Sequence, residues 1–195
     1  MKNALIVVDV QKDFCKNGAL EAPEGDEVVD PLNKYIEVFE TTKNIVVFTR
    51  DWHPPDHISF KGRGGPWPPH CIKNTEGAEF HPKLNFPSVA IVVSKASERD
   101  REAYSGFENT GLHELLKELK VEKVFVGGLA TDYCVKNTVL DALKFGFKTY
   151  LLVDAIKGVN VNPRDSELAI EEMKKKGAVA ITFDEAKKLI GLSEK

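Results

Sequence analysis

Residues 123–134 read Lys123-Val124-Phe125-Val126-Gly127-Gly128-Leu129-Ala130-Thr131-Asp132-Tyr133-Cys134. The first five form an apolar run of the composition that suits a pleated strand. A glycine pair follows, then a short polar stretch that ends at a cysteine. Beyond it, residues 135–145 set Val139, Leu140 and Leu143 along one helical face and stop at Gly146, a natural C-terminal cap. The stretch reads as strand, tight turn and helix. Cys134 falls at the helix start, with Thr131 or Asp132 as the N-cap.

Similar Val- and Ile-rich runs occupy residues 4–8, 44–49, 89–94 and 149–153, with a weaker one at 178–182. None alternates cleanly, which is the pattern of parallel strands covered on both faces. Helical spacing marks residues 28–40, 112–119, 165–176 (just after Pro163) and 186–190. Strands alternating with helices predict one α/β domain over residues 1–195. Its layers are α/β/α, and its six-stranded sheet is mostly parallel with right-handed crossovers. Only residues 52–88 break the alternation, and they hold seven of the ten prolines. A structureless stretch of that length is usually functional, so it is read as a small loop-rich insertion over the active face.

Net charge is −3, and no basic stripe appears. Nucleic acid and anionic membrane are therefore poor partners, and a small molecule is the expected one. The run at 4–8 is too short for a secretory signal or a membrane span. The three cysteines are odd in number and far apart, which fits a reducing, cytoplasmic location. Monomer and homo-oligomer are both compatible with these features.

In open α/β sheets, ligands bind beyond the carboxyl ends of the strands. There the chain places Asp9, then Asp51 with His53, then Lys95, then Cys134. A thiol at a helix N-terminus meets N–H groups and a dipole that favour its anion and lower its pKa. The same N–H groups suit an oxyanion. The alternative is a cysteine serving as a small buried apolar residue. Asp9, beside Ile6-Val7-Val8, is either a proton acceptor with a raised pKa or an ion-paired, turn-capping carboxylate. Lys95 is its natural counter-charge, or a solvated lysine.

Asp51 and His53 are two apart and can face one side of an extended segment. With His70, after Trp67-Pro68-Pro69, they make a donor set for one divalent metal ion such as zinc, iron or manganese. His57 is a fourth ligand or a support for the others. Each lone histidine also fits a hydrogen-bonded loop residue, the role assigned to His81 and His113. Cys71 is expected to point away from His70 along an extended segment. Phe14, Trp67, Tyr104 and Phe107 lie on loops toward the same rim, where they sandwich a flat ring or pack the insertion down.

Taken together, Asp9-Val10-Gln11-Lys12-Asp13-Phe14, Arg50-Asp51-Trp52-His53-Pro54, Trp67-Pro68-Pro69-His70-Cys71, Ser94-Lys95, Tyr104-Ser105-Gly106-Phe107 and Ala130-Thr131-Asp132-Tyr133-Cys134-Val135 resemble the nicotinamidases. These belong to the isochorismatase-like cysteine hydrolases, and the resemblance runs from residue 4 to about residue 182. It implies the isochorismatase-like hydrolase fold. It also implies hydrolysis of nicotinamide to nicotinate and ammonia through a thioester, with pyrazinamide as a side substrate. Cys134 matches the nucleophile, Asp9 the base and Lys95 the third catalytic member. Asp51, His53 and His70 match the metal ligands, with zinc foremost, whereas His57 matches a ligand in only some members. The resemblance further implies a cis Leu129–Ala130 bond and an oxyanion hole from the N–H groups of Ala130 and Cys134. Phe14, Trp67, Tyr104 and Leu129 are the implied substrate contacts. Two other readings stand beside this one: a different amidase of the same superfamily, and a metallohydrolase using metal-bound hydroxide.

Overall fold

The computed structural model describes residues 2–191. Its strands are β1 (Lys2–Val8), β2 (Ile45–Asp51), β3 (Ile91–Lys95), β4 (Val121–Leu129), β5 (Lys148–Lys157) and β6 (Val179–Ile181). They form one sheet in the order β3-β2-β1-β4-β5-β6, and every neighbouring pair is parallel. The helices are α1 (Val29–Thr41), α2 (Leu112–Glu118), α3 (Lys136–Lys144), α4 (Asp165–Lys175) and α5 (Phe183–Ile190).

The layering follows from the side-chain alternation of β1. Leu5 and Val7 enter one core with Leu32, Ile36 and Phe39 of α1 and Ala186 of α5. Ala4, Ile6 and Val8 enter the opposite core with Leu116 of α2, Val139 and Ala142 of α3, and Met173 of α4. Each fully buried aliphatic or aromatic side chain here contributes about 1.5–3 kcal/mol. The apolar, non-alternating run of the sequence is thus a strand covered on both faces. Strand order reverses at β1, which pairs with both β2 and β4. Ligand crevices form at such a switch point. Gly128 is essential to it. Its φ is +119°, and a Cβ built there would lie 2.2 Å from the Val8 carbonyl oxygen, so only glycine lets β4 pass this close to β1.

Several boundaries differ from the sequence reading. The third strand is Ile91–Lys95, not 89–94, because its register pairs Asp51 with Lys95 and leaves Val89 86% exposed. Lys95 is therefore the last residue of its strand. The helix expected over residues 135–145 forms, but it does not begin directly at Cys134. A π-helical turn spans Thr131–Val135 and α3 follows. Neither Thr131 nor Asp132 caps it. The Asp132 carboxylate instead accepts hydrogen bonds from the Val159 and Asn160 N–H groups, at 2.9 and 2.7 Å. His113 lies on α2, stacked on Phe145 at 4.1 Å, rather than in a loop.

Residues 52–88 contain only 3-10 turns, at Lys61–Arg63 and Glu76–Ala78, and are tied down by bridges pairing His53 with Ile72 and Phe60 with Trp67. Among the described residues, no helix is long and apolar enough to cross a membrane.

Candidate active site

Asp9 directly follows β1 and is fully buried. Its φ is +47°, a left-handed conformation that Asp tolerates better than most residues. Its Oδ1 accepts a 2.6 Å hydrogen bond from the Thr49 hydroxyl. Its Oδ2 lies 2.8 Å from Lys95 Nζ, an ion pair outside hydrogen-bond alignment. The ammonium donates to Asp51 Oδ1, to Cys134 Sγ at 3.3 Å and to the Ala103 carbonyl at 3.4 Å. One buried ammonium thus touches two carboxylates and a thiol. One oxygen from each of Asp9 and Asp51 and the Cys134 sulfur all lie within 4.8 Å of one another.

Burial opposes the charge of every one of these groups, and it prevails at Asp9 and Cys134 only. It raises the Asp9 carboxyl above its ordinary range, against the pull of Lys95. Burial opposes the charge of Lys95, but Asp51 and Asp9 outweigh it and hold the ammonium well above its usual pKa. Asp51 also resists burial and stays below the carboxylate range, chiefly because of Lys95. The Cys134 thiol is pushed well above its ordinary value by burial and by the two carboxylates, with Lys95 working the other way. This corrects the expectation of a lowered thiol pKa. The helix start is buried and acid-lined, so the dipole alone does not produce a resting thiolate.

Asp51, His53 and His70 form a second group that shares the Asp51 carboxylate, with one donor atom of each within 4.8 Å of the others. His53 Nδ1 lies 3.1 Å from the Ala96 carbonyl and His70 Nδ1 lies 2.8 Å from the Pro68 carbonyl. A ring nitrogen facing a carbonyl carries the proton, so both histidines present an Nε2 lone pair. His53 Nε2 is buried without a hydrogen-bond partner. Asp51 Oδ2, at 3.5 Å, is another acceptor and does not satisfy it. An unpartnered buried nitrogen beside a carboxylate and a second imidazole fits a bound divalent cation. Gln11 fixes the carboxylate's backbone: its side-chain amide accepts from the Asp51 N–H and donates to the Asp51 carbonyl, both at 2.8 Å.

His57 does not join this group, which corrects the fourth-ligand reading. Its Nδ1 pairs with the Ser59 hydroxyl at 2.7 Å and its Nε2 with the Arg101 carbonyl at 2.8 Å. Both ring nitrogens are occupied, and the ring stacks on His53 at 4.2 Å as a buttress. Cys71 is fully buried in the core and is absent from the donor set. Cys15, Asp26 and His81 also approach one another. There, His81 Nδ1 accepts from the Lys83 N–H and Nε2 faces Asp26 Oδ1 at 3.1 Å, so no lone pair is left for a cation.

A family model for the isochorismatase domain matches residues 3–185. The chain belongs to the isochorismatase family. It is 39% identical to an Escherichia coli nicotinamidase, across 92% of this chain and 94% of that protein. The pyrazinamidase of Pyrococcus horikoshii, solved in complex with zinc, superposes with a TM-score of 0.90 at 52% identity, covering 94% of this chain and all of that one. PnC1 from L. infantum, solved in complex with nicotinate, superposes at 0.84 with 33% identity, covering 94% and 93%.

In this isochorismatase-family chain the two groups meet at one cleft, the first through Cys134. Cys134 and Ala130 line one part of it and Asp51, His53 and His70 another. Phe14, Trp67 and Tyr104 form walls, and Trp67 Nε1 donates to the Tyr104 hydroxyl at 3.1 Å. Leu129 does not reach the cleft. It is fully buried in the core behind Ala130, across the cis peptide bond that joins them. Phe107 lies instead in the α2–α3 core, with its ring near Phe145 and Phe147. The cleft also has walls not singled out as substrate contacts from the sequence: Leu20, Glu102, Tyr133 and Val159. Of these only Tyr133 carried a local signal, since it directly precedes Cys134 in the first helical turn.

Proposed function

We propose that this chain is a nicotinamidase, hydrolysing nicotinamide to nicotinate and ammonia, with pyrazinamide as a side substrate. One observation carries the reading. His53, whose Nε2 is unpartnered beside Asp51 and His70, lines the same cleft as Cys134, behind which Asp9 and Lys95 are buried. A site for a cation and a site for a nucleophile thus face one small flat molecule. Asp51, His53 and His70 would hold a divalent metal, zinc foremost, which supplies a Lewis acid for the pyridine nitrogen. The whole chain works as one catalytic domain, with residues 52–88 bringing His53, Trp67 and His70 to the cleft. Three unpaired cysteines favour a cytoplasmic location.

The chemistry assigned to the residues is as follows. Cys134 keeps its proton at rest, because burial disfavours the thiolate. As Sγ bonds to the carboxamide carbon, Asp9 takes the thiol proton; its raised pKa makes it a stronger base than an exposed carboxylate. The C=O bond becomes an oxyanion, received by the N–H groups of Ala130 and Cys134. Collapse re-forms the carbonyl and breaks the C–N bond, and ammonia leaves with the proton from Asp9. Water then attacks the thioester, Asp9 accepting its proton, and cleavage of the C–S bond yields the carboxylate and returns the thiol. Lys95 stays charged throughout and offsets the negative charge that moves between Asp9 and Sγ. The aromatic walls hold the ring in plane.

The test is ammonia release from nicotinamide, with and without chelator, in the wild type and in Cys134→Ala. Turnover should vanish in Cys134→Ala while zinc stays bound. Retained ammonia release in that variant would sink the nucleophile and leave metal-bound hydroxide as the mechanism. Activity on other amides but not on nicotinamide would sink the substrate assignment.

A further inference from the structure

We propose that Asp13 is a positioning residue for the metal half of the site, acting through the peptide that links the two histidines; this inference rests on the metal reading above. Asp13 follows β1 and is half-buried. Its Oδ2 accepts a 2.7 Å hydrogen bond from the Cys71 N–H, the peptide immediately after His70. Across that residue, the Cys71 carbonyl accepts from the His53 N–H at 3.0 Å. Cys71 holds a left-handed φ of +45°, a conformation a non-glycine residue keeps only when its surroundings enforce it. The Cys71 backbone is therefore gripped on one side by Asp13 and on the other by His53. His70 leads directly into that grip.

The second carboxylate oxygen holds the segment that leads to Leu20. Oδ1 accepts from the Ala19 N–H at 3.2 Å, and the Asp13 carbonyl accepts from the Leu20 N–H at 2.9 Å. Leu20 lines the cleft. One side chain thus sets the spacing between a wall of the ring pocket and the loop that carries His70. The chain makes room for it. A Cβ built at Gly77 would lie 2.2 Å from Asp13 Oδ2. No ordinary side chain fits at 77 while the carboxylate stays in place.

This reading assigns a job to the last residue of Asp9-Val10-Gln11-Lys12-Asp13. Asp9 faces the thiol, Gln11 clasps Asp51, and Asp13 clasps the loop of His70. A single short segment after β1 thereby indexes both halves of the site. Asn at position 13 would turn an N–H toward one of the two backbone donors, so Asp13→Asn removes a contact with little change of volume.

The experiment measures zinc affinity by competition with a chromophoric chelator, on metal-free wild type, Asp13→Asn and Gly77→Ala, well below their melting temperatures. Gly77→Ala keeps the carboxylate but displaces it, and so stands in if Asp13→Asn folds poorly. The expected result is a loss of zinc affinity of roughly 10- to 100-fold in either variant, the size seen when partners that orient metal ligands are removed. The alkylation rate of Cys134 in the metal-free protein should be unchanged, since Asp13 touches no member of the nucleophile cluster. Unchanged zinc affinity with only a lowered melting temperature would overturn the inference and leave the metal reading standing. Failure of the wild type to bind zinc would overturn both.

Discussion

Lys95→Met is the substitution whose outcome the structure constrains most closely. Methionine has a similar volume, so the change removes a charge without opening a large cavity. Lys95 Nζ stands 2.8 Å from Asp9 Oδ2 and also pairs with Asp51. At an effective dielectric constant of about 20, a unit pair at that separation attracts by roughly 6 kcal/mol. Much of that offsets desolvation, which costs several kcal/mol per buried ion. Removing the cation alone leaves the desolvation of two carboxylates uncompensated, and such deletions cost about 3–5 kcal/mol. For a chain of this size, that corresponds to a melting temperature lower by roughly 6–20 °C.

The sign of the pH dependence follows from the two carboxyls. Asp9 has a folded pKa above its unfolded value, so it contributes stability at low pH that is lost as pH rises through the folded value. Asp51 has a depressed folded pKa, so its contribution is present above the unfolded value and is lost as pH falls. Losing Lys95 shifts both pKa values upward. The gap between wild type and variant should therefore be wide at about pH 8 and narrow toward about pH 5. The assay is thermal unfolding of chelated protein at both pH values, beside ammonia release, which should disappear. A variant melting within about 2 °C of wild type at the higher pH, with no narrowing toward acid, would refute the reasoning.

Two further outcomes bear on the rest of the site. His57→Ala should keep one zinc per chain by metal analysis and lose about 1–3 kcal/mol of stability from two hydrogen bonds in a buried setting; loss of the zinc would restore His57 as a ligand. Tyr104→Phe deletes the hydroxyl that receives Trp67 Nε1, a bond of about 0.5–1.5 kcal/mol, so KM for nicotinamide should rise roughly two- to tenfold with kcat changing less. A fall in kcat at constant KM would place Tyr104 in the chemistry rather than in the wall.

What the sequence made legible was the part governed by short-range pattern. The runs at 4–8 and 123–127 carried the sheet, because apolar, β-branched stretches covered on both faces look alike wherever they occur. The strand-end rule then brought Asp9, Asp51, Lys95 and Cys134 to one rim before any coordinates. What escaped depends on long-range geometry. His57 sits at a spacing from His53 that allows ligation, yet Ser59 and the Arg101 carbonyl, 44 residues away, take both its nitrogens. Leu129 is one residue from the cleft, and burial behind Ala130 decides against it. Leu20 and Val159 became walls only through tertiary packing. The thiol's raised pKa was likewise invisible, because the dipole argument knows the helix start but not the two carboxylates brought beside it.

Asp51 faces Lys95 through one oxygen and His53 through the other, with His70 alongside. Nucleophile and cation site therefore do not titrate or load independently. Asp9, Asp51 and Lys95 in their charged forms sum to one negative charge, and a divalent ion would turn the sum to one positive. Thiolate formation and cation binding should each strengthen the other by the same factor, as linkage requires. A ligand that coordinates at the histidine end is then also an effector of Cys134 reactivity, and alkylation of Cys134 at graded zinc concentrations would read that coupling directly.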